Sequence, residues 1–541
     1  MKKILLLLLL ISCLLFLRPS AVKAAGEFRF QENSTWELKE DGTIFATSKL
    51  KVTNLTRDYY STGYYFWLPA EEVRDLSANY DDGYKIQTNQ EADQEVVNGL
   101  TYKYQKIELK FPREIGGFGA SFNVNLSFTM VGSLAQKGQT REFNLPNLAM
   151  DQESTQNITV KAPKSFGNAH FPADDPKTSR EDNEFYYITY ENEQLVKKSQ
   201  TIVFGDQMSR RLTYDYPIEN RDILPSFFKF YLPMTNDKQK VYVKSVDPKP
   251  VYEGIDKDGS SYFYFFLLPA QKLTVKAEVE ILTKANEVNF DRSGMLKDFA
   301  PDLDKYVTKE QYWQIDNPIV KAKAKELIKT EDTVFTNAKR VYDYIVSTFE
   351  YSQEKLAKNE RLGAVEALKN PKYVVCQEYA DAYIAILRAG DIPAREYYGM
   401  TDAEELTSSE KNLLHAWTEV YIPKYGWLTV DPTWGESGVE FGKLAFDHLA
   451  INFDTGSDEA YAVVMKNNNP YDMGTIYEKN VKLSEIKATA SGRILPGDNP
   501  VLDSVMLANR PLLLGASIII FIALALITAL TRLIHKKRNN K

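Results

Sequence analysis

Between Phe28 and Leu282 apolar and polar residues alternate in short runs, and from about Asn286 the apolar spacing changes to every third or fourth position. A period of two lines one face of a strand, and a period of 3.6 lines one face of a helix. A chain that carries the two patterns in separate blocks is constrained to a multidomain fold with all-β units first and an α+β unit after them. At 541 residues there is room for several cores, about three or four at roughly 150 residues each.

In the first block, Thr35 to Lys39, Ile44 to Val52, Tyr64 to Leu68, Tyr102 to Phe111 and Ser121 to Val131 alternate, broken by Glu40-Asp41-Gly42, Pro112 and Gly116-Gly117. These are hairpin signals, and they predict an antiparallel β-sandwich over residues 26–150. Residues 151–286 repeat the texture, with strands expected at Asn157 to Lys161, Glu184 to Tyr190, Phe227 to Leu232, Lys240 to Ser245, Tyr262 to Leu268 and Leu273 to Leu282, and they predict a second sandwich. The 33 Tyr and 28 Phe suit such strands, where aromatics occupy alternate positions. The helical block, residues 287–486, opens with Ile319 to Ile328 and Val334 to Phe349. In the latter, Val334, Ala338, Val341, Ile345 and Phe349 form a core-facing stripe. A third helix from Ala364 to Leu368 should stop at Asn370-Pro371.

The ends have a different character. Lys2-Lys3, the apolar run Ile4 to Leu17 and the small residues of Ala21-Val22-Lys23-Ala24 predict an export signal over residues 1–24, which would carry Cys13 away with it. Leu512 to Thr531 is apolar over about 20 residues, enough for roughly 30 Å of hydrocarbon. Arg532, His535, Lys536, Lys537, Arg538 and Lys541 follow it. The expectation is one transmembrane helix, a basic cytoplasmic tail over 532–541 and an ectodomain outside the cell. Ser, Gly, Pro, Asp and Asn enrich residues 487–510, which predicts a linker. The chain carries a net charge of −7, and because both ends are basic its middle is more acidic still. Without a basic run to offset repulsion from phosphates, nucleic acid is excluded as a general partner.

Once the leader is gone, Cys376 is the only cysteine, so no internal disulfide can form. It begins a helical run from Gln377 to Arg388 that Gly390 should end. At a helix start the unpaired amides and the positive end of the dipole favour a thiolate. His415 lies in an alternating run with Trp417, Glu419 and Tyr421 on its face, which predicts a strand. Pro423-Lys424-Tyr425-Gly426 turns the chain, and Trp427 to Asp431 returns beside it. Asp431 then comes within reach of His415. A thiol, an imidazole and a carboxylate in this arrangement make Cys376, His415 and Asp431 candidate nucleophile, base and orienter. Trp417, Trp427 and Trp434 are candidate cleft walls. His448, in Phe446-Asp447-His448-Leu449, ranks below His415 and is expected to be structural. His170 has no histidine partner in the β units, so no metal site is expected there, and Asp174-Asp175 read as a solvated loop rather than a calcium site.

The segments Val375 to Ala380, Leu387 to Arg395, His415 to Pro423 and Gly426 to Thr433 closely resemble the bacterial transglutaminase-like family, over roughly residues 316–450. The resemblance implies a papain-like core of helices packed on an antiparallel sheet, with Cys376 as nucleophile, His415 as base and Asp431 as its orienter, and no metal or organic cofactor. Two positions depart from the family: Val374 and Asp391 stand where glycine is usual. The implied activity is hydrolysis of amide or peptide bonds, or protein-glutamine acyl transfer to an amine, on protein or peptide substrates at the cell surface. A relative without activity, serving as a scaffold or binding protein, is the alternative.

Overall fold

The computed structural model describes residues 27–97, 100–145, 154–195, 200–286, 293–358, 360–401, 414–454, 456, 463–472 and 475–497. The expected leader, membrane helix and basic tail lie outside these residues. Among the described residues no helix is long and apolar enough to cross a membrane.

Phe28–Leu38 pairs antiparallel with Ile44–Asn54, and that strand pairs with Ser121–Val131. On its other edge Phe28–Leu38 pairs parallel with Thr155–Pro163, in register from Gln31 opposite Thr155 to Glu37 opposite Lys161. The seven-stranded sheet thus crosses the boundary expected at residue 150. Thr140–Leu145 likewise pairs with Gln200–Phe204. The first β unit therefore extends to Phe204, around a core that includes Trp36, Phe128, Phe143 and Phe204. Alternation is the same on both sides of residue 150, and a period of two says which face of a strand is buried but not which strand lies beside it.

The second unit is also assembled from distant parts of the chain. Met208–Glu219 lies between Lys272–Thr283 and Val481–Ile486 in one sheet, and Ser226–Leu232 lies between Ser261–Leu267 and Val464–Lys466 in the other. The chain leaves this unit at Thr283 and returns at Val464, so the last part of the segment assigned to the α+β block belongs to a sandwich. The expected linker also packs, as far as residue 497. Arg493 and Val243 exchange backbone hydrogen bonds of 2.8 and 2.9 Å, Ile255 N–H donates to Pro496 O at 2.9 Å, and Leu495 is 3% exposed in the core. Its Ser-Gly-Pro composition rules out regular structure, but one buried leucine and a short backbone bridge suffice to dock it.

Between these sandwich strands lie the helices Pro318–Leu327, Val334–Thr348, Ala364–Lys369 and Cys376–Ala389. They share one core with Val420, Ile422, Leu428 and Val430 of a four-stranded antiparallel sheet. That sheet runs in the order Gly426–Val430, Leu414–Ile422, Ala394–Thr401, His448–Asp454. Asn317 caps the first helix by accepting from Ile319 N–H, with Pro318 behind it, and Thr333 caps the second by accepting from Thr336 N–H. The helix that starts at Cys376 is buried almost all round, from Glu378 to Arg388, which holds its first residue in a fixed place.

Candidate active site

Cys376 is the first residue of its helix, buried and not disulfide-bonded. Val375, before it, has no side chain able to cap the helix. Instead Glu378, one turn in, accepts from Val375 N–H at 3.1 Å and from Leu362 N–H at 2.9 Å, which pins the loop on both sides. Glu378 is fully buried and faces the equally buried Lys355 ammonium at 3.4 Å. Behind the helix Asp381 accepts from Trp313 Nε1–H at 2.9 Å and from Arg361 Nε–H at 3.0 Å, and Arg361 also reaches Glu396 at 2.6 Å. Isolated buried charges would be costly; paired and hydrogen-bonded, they fix geometry.

His415 and Asp431 come from neighbouring strands whose register sets Thr418 opposite Val430. His415 Nε2 lies 2.7 Å from Asp431 Oδ2. Asp431 Oδ1 accepts the backbone N–H groups of Thr433 at 2.9 Å and Trp434 at 3.4 Å, so the carboxylate also caps the short helix Pro432–Glu436. Burial works against the charged form of His415, but Asp431 and the hydrogen-bonded Cys376 thiol outweigh it and raise the imidazole to about 10. Burial likewise opposes the charge of Asp431, yet His415 and His448 hold its carboxyl well below the usual range. With Nε2 donating to Asp431, the bond between His415 and the thiol falls to Nδ1. The three predicted residues therefore form one chain of contacts: thiol, imidazole, carboxylate.

The structure adds His448 to that chain. Its Nε2 lies 2.9 Å from the same Asp431 oxygen, and its ring lies 4.6 Å from Trp434, 4.8 Å from Trp417 and 5.7 Å from His415. Only pairing of His448 with Thr401 across the sheet brings it there, and no local sequence pattern reports that. His415, Asp431 and His448 present ligand-type atoms within 4.8 Å of one another. A metal ion there would need bare Nε2 atoms and an acceptor for each Nδ1–H. Nδ1 of His415 faces the thiol, and Nδ1 of His448 has no partner among the described residues, so the donor set fits a hydrogen-bonded array and not a metal centre.

Tyr351 also went unread in the sequence. Burial, then the nearby charges of Cys376, Glu378, Asp431 and Glu436, push its phenol up, which places it beside the thiol. Its backbone forms a bridge with Val374, and its N–H donates to Glu436 at 3.1 Å. The bridge accounts for Val374: the residue is extended and buried, and valine suits that backbone. Asp391 is different. Its φ of 61° is left-handed, where glycine is at ease and aspartate is among the better-tolerated alternatives.

Of the three tryptophans, Trp417 stacks on His415 at 5.9 Å and 20°, and Trp434 lies 6.5 Å from the same ring. Trp427 packs instead on Tyr306 and Tyr421, under the Arg395 guanidinium. Trp417, Trp427 and His448 line a cleft of about 430 Å³ between the catalytic sheet and the second sandwich. On its sandwich side Lys238 donates to Thr429 Oγ1 at 3.0 Å. His170 is far from this chemistry: it bonds Gly205 O and stands edge-on to Phe446.

Residues 321–432 match the family model of the Transglutaminase-like superfamily. The Bacillus subtilis protein YebA, described as uncharacterized, is 30% identical over 205 residues, 36% of this chain and 26% of that protein. A protein-glutamine gamma-glutamyltransferase of Pseudomonas aeruginosa is 43% identical over 65 residues, 11% of this chain and 10% of that enzyme. The chain thus spans about a quarter or less of the length of these relatives. The crystal structure of the periplasmic domain of TgpA from Pseudomonas aeruginosa aligns with a TM-score of 0.23 at 14% identity, covering 41% of this chain and 97% of that one. The domain that holds Cys376, His415 and Asp431 is transglutaminase-like, of a superfamily whose members are usually cysteine hydrolases or acyltransferases.

Proposed function

We propose that the protein is a membrane-anchored, extracytoplasmic thiol enzyme that acts on amide bonds of proteins or peptides through an acyl-enzyme on Cys376. His415 holds the proton of the Cys376 thiol as an imidazolium, and the thiolate at the helix start attacks the substrate carbonyl. The Cys376 N–H, uncapped by Val375, donates to the oxyanion as the C–S bond forms. His415 then protonates the leaving nitrogen, the C–N bond breaks and a thioester remains. In the second half, neutral His415 takes a proton from water or an amine as that molecule attacks the thioester, and the thiolate leaves with His415 again protonated. Asp431 keeps its charge throughout and orients the ring.

The observation that carries this reading is that His415 bonds the only cysteine of the described residues through one nitrogen and a buried carboxylate through the other. The similarity of the P. aeruginosa gamma-glutamyltransferase supports glutamine side chains as one class of acyl donor. Alkylation of Cys376 against pH, followed by mass spectrometry, tests the proposal. Rapid reaction well below the roughly 8.5 of a free thiol, lost in His415→Ala, is expected. An ordinary thiol profile in both proteins would leave a binding or scaffolding role in its place.

A further inference from the structure

The Asp431 carboxylate has about four acceptor positions, and all are filled: Oδ1 by two backbone N–H groups, Oδ2 by two imidazoles. The acyl-transfer steps use one of those imidazoles. His448 is left over.

Its side chain is 7% exposed, and its Nδ1 is buried without a hydrogen-bond partner among the described residues. Leaving a buried acceptor unpaired is destabilising, whereas a hydrocarbon ring could fill the space between Trp417 and Trp434 without that penalty. What a hydrocarbon ring cannot do is donate to Asp431. The retained function of the imidazole is therefore its Nε2–H, held 2.9 Å from Oδ2.

We propose that His448 is a positioning residue for the thiol site, which holds Asp431 Oδ2 in line with His415 while the His415 proton is away. The inference rests on the roles given above to Cys376, His415 and Asp431. When His415 passes its proton to the leaving nitrogen, the ion pair with Asp431 weakens to a neutral hydrogen bond. The His448 bond takes no part in that transfer and does not weaken with it, so the carboxylate keeps its aim until the ring is charged again. His448 also draws on the same negative charge, which moderates how tightly His415 retains its proton. The groups that face it are His415 and Asp431 on the catalytic side, and Lys238, Arg395, Glu419 and Asp237 around the cleft.

The test is the pH profile of Cys376 alkylation by iodoacetamide in the full chain, with His448→Phe, which keeps a ring but no donor, and His448→Gln, whose amide can donate to Oδ2. A charge-assisted hydrogen bond to Asp431 predicts that Phe slows alkylation at neutral pH at least about tenfold and moves the midpoint of the profile, and that Gln restores most of both. Should Phe prevent folding, His448→Asn, polar but too short to reach Oδ2, must show the same loss. Wild-type rate and midpoint in folded Phe or Asn variants would overturn the proposal, as would a Gln variant as slow as Phe. His415→Ala run beside them separates the two readings: if that change leaves alkylation untouched, the thiol site itself fails, whereas an activated thiol indifferent to His448 removes only His448.

Discussion

His415 carries two partners with opposite demands, a thiol it must deprotonate and a carboxylate that keeps it protonated, and the second sets the pH range of the site. Because folding raises its pKa above the ordinary 6.5, His415 stabilises the fold fully below that value, and the contribution is lost as pH climbs towards about 10. Folding lowers the pKa of Asp431 from 3.8, so its contribution is present above that value and disappears as the pH falls below it. Urea denaturation should therefore show stability falling between pH 7 and 10, with the fall reduced in His415→Ala. Asp431→Asn should leave the fold intact but cut thiol reactivity by orders of magnitude, because an amide can turn the ring to the wrong tautomer; a mass-spectrometric alkylation rate reads this directly. At Asp391 the expected change is small and positive. Glycine relieves a left-handed φ that costs an L-residue about 1–2 kcal/mol, less about 0.5–1 kcal/mol of added chain entropy, so Asp391→Gly should raise the urea midpoint slightly. The residues that carry chemistry in order along the chain, Cys376, His415 and Asp431, were legible because each sits at a recognisable local feature: a helix start or a paired strand. His448 and Tyr351 were not, since the sheet register and the bridge to Val374 that place them are contacts no window of sequence contains.

The element that matters most is the helix from Cys376 to Ala389, and its start is held by a charge. Glu378 binds the N–H groups of Val375 and Leu362 while it neutralises buried Lys355. Glu378→Gln leaves that ammonium unpaired, which should cost about 3–5 kcal/mol of stability by chemical denaturation. Where the variant still folds, Cys376 should alkylate more slowly as the preceding loop loosens. Helix positions were readable from apolar spacing and caps: the stripe from Val334 to Ile345 is buried as the period requires. The charged residues that turn inward, Glu378, Asp381 and Lys355, ran against that pattern. A periodicity argument assigns charge to the solvent side and has no means of seeing that the charges find one another.

At the scale of the whole molecule, two β units and a helical block were legible from the change of period, while their borders were not. Thr155–Pro163 joins the first unit and Val464–Ile486 the second, because sheets select partners by edge and register and not by order in the chain. The docked segment that ends at residue 497 yields a direct check. Leu495→Ala should cost about 2–5 kcal/mol, a loss a free linker could not produce, measured as a shift in the denaturation midpoint. The pairing of Ser209 with Ile486 has one more consequence. Everything from residue 210 to residue 485, the thiol site included, hangs as a closed loop whose two ends lie side by side. Tension applied to the chain on either side of that loop would meet first at the rungs of the Met208–Glu219 and Val481–Ile486 ladder and would have to part them one at a time. Until they part, the strands bearing His415 and Asp431 stay out of the line of force.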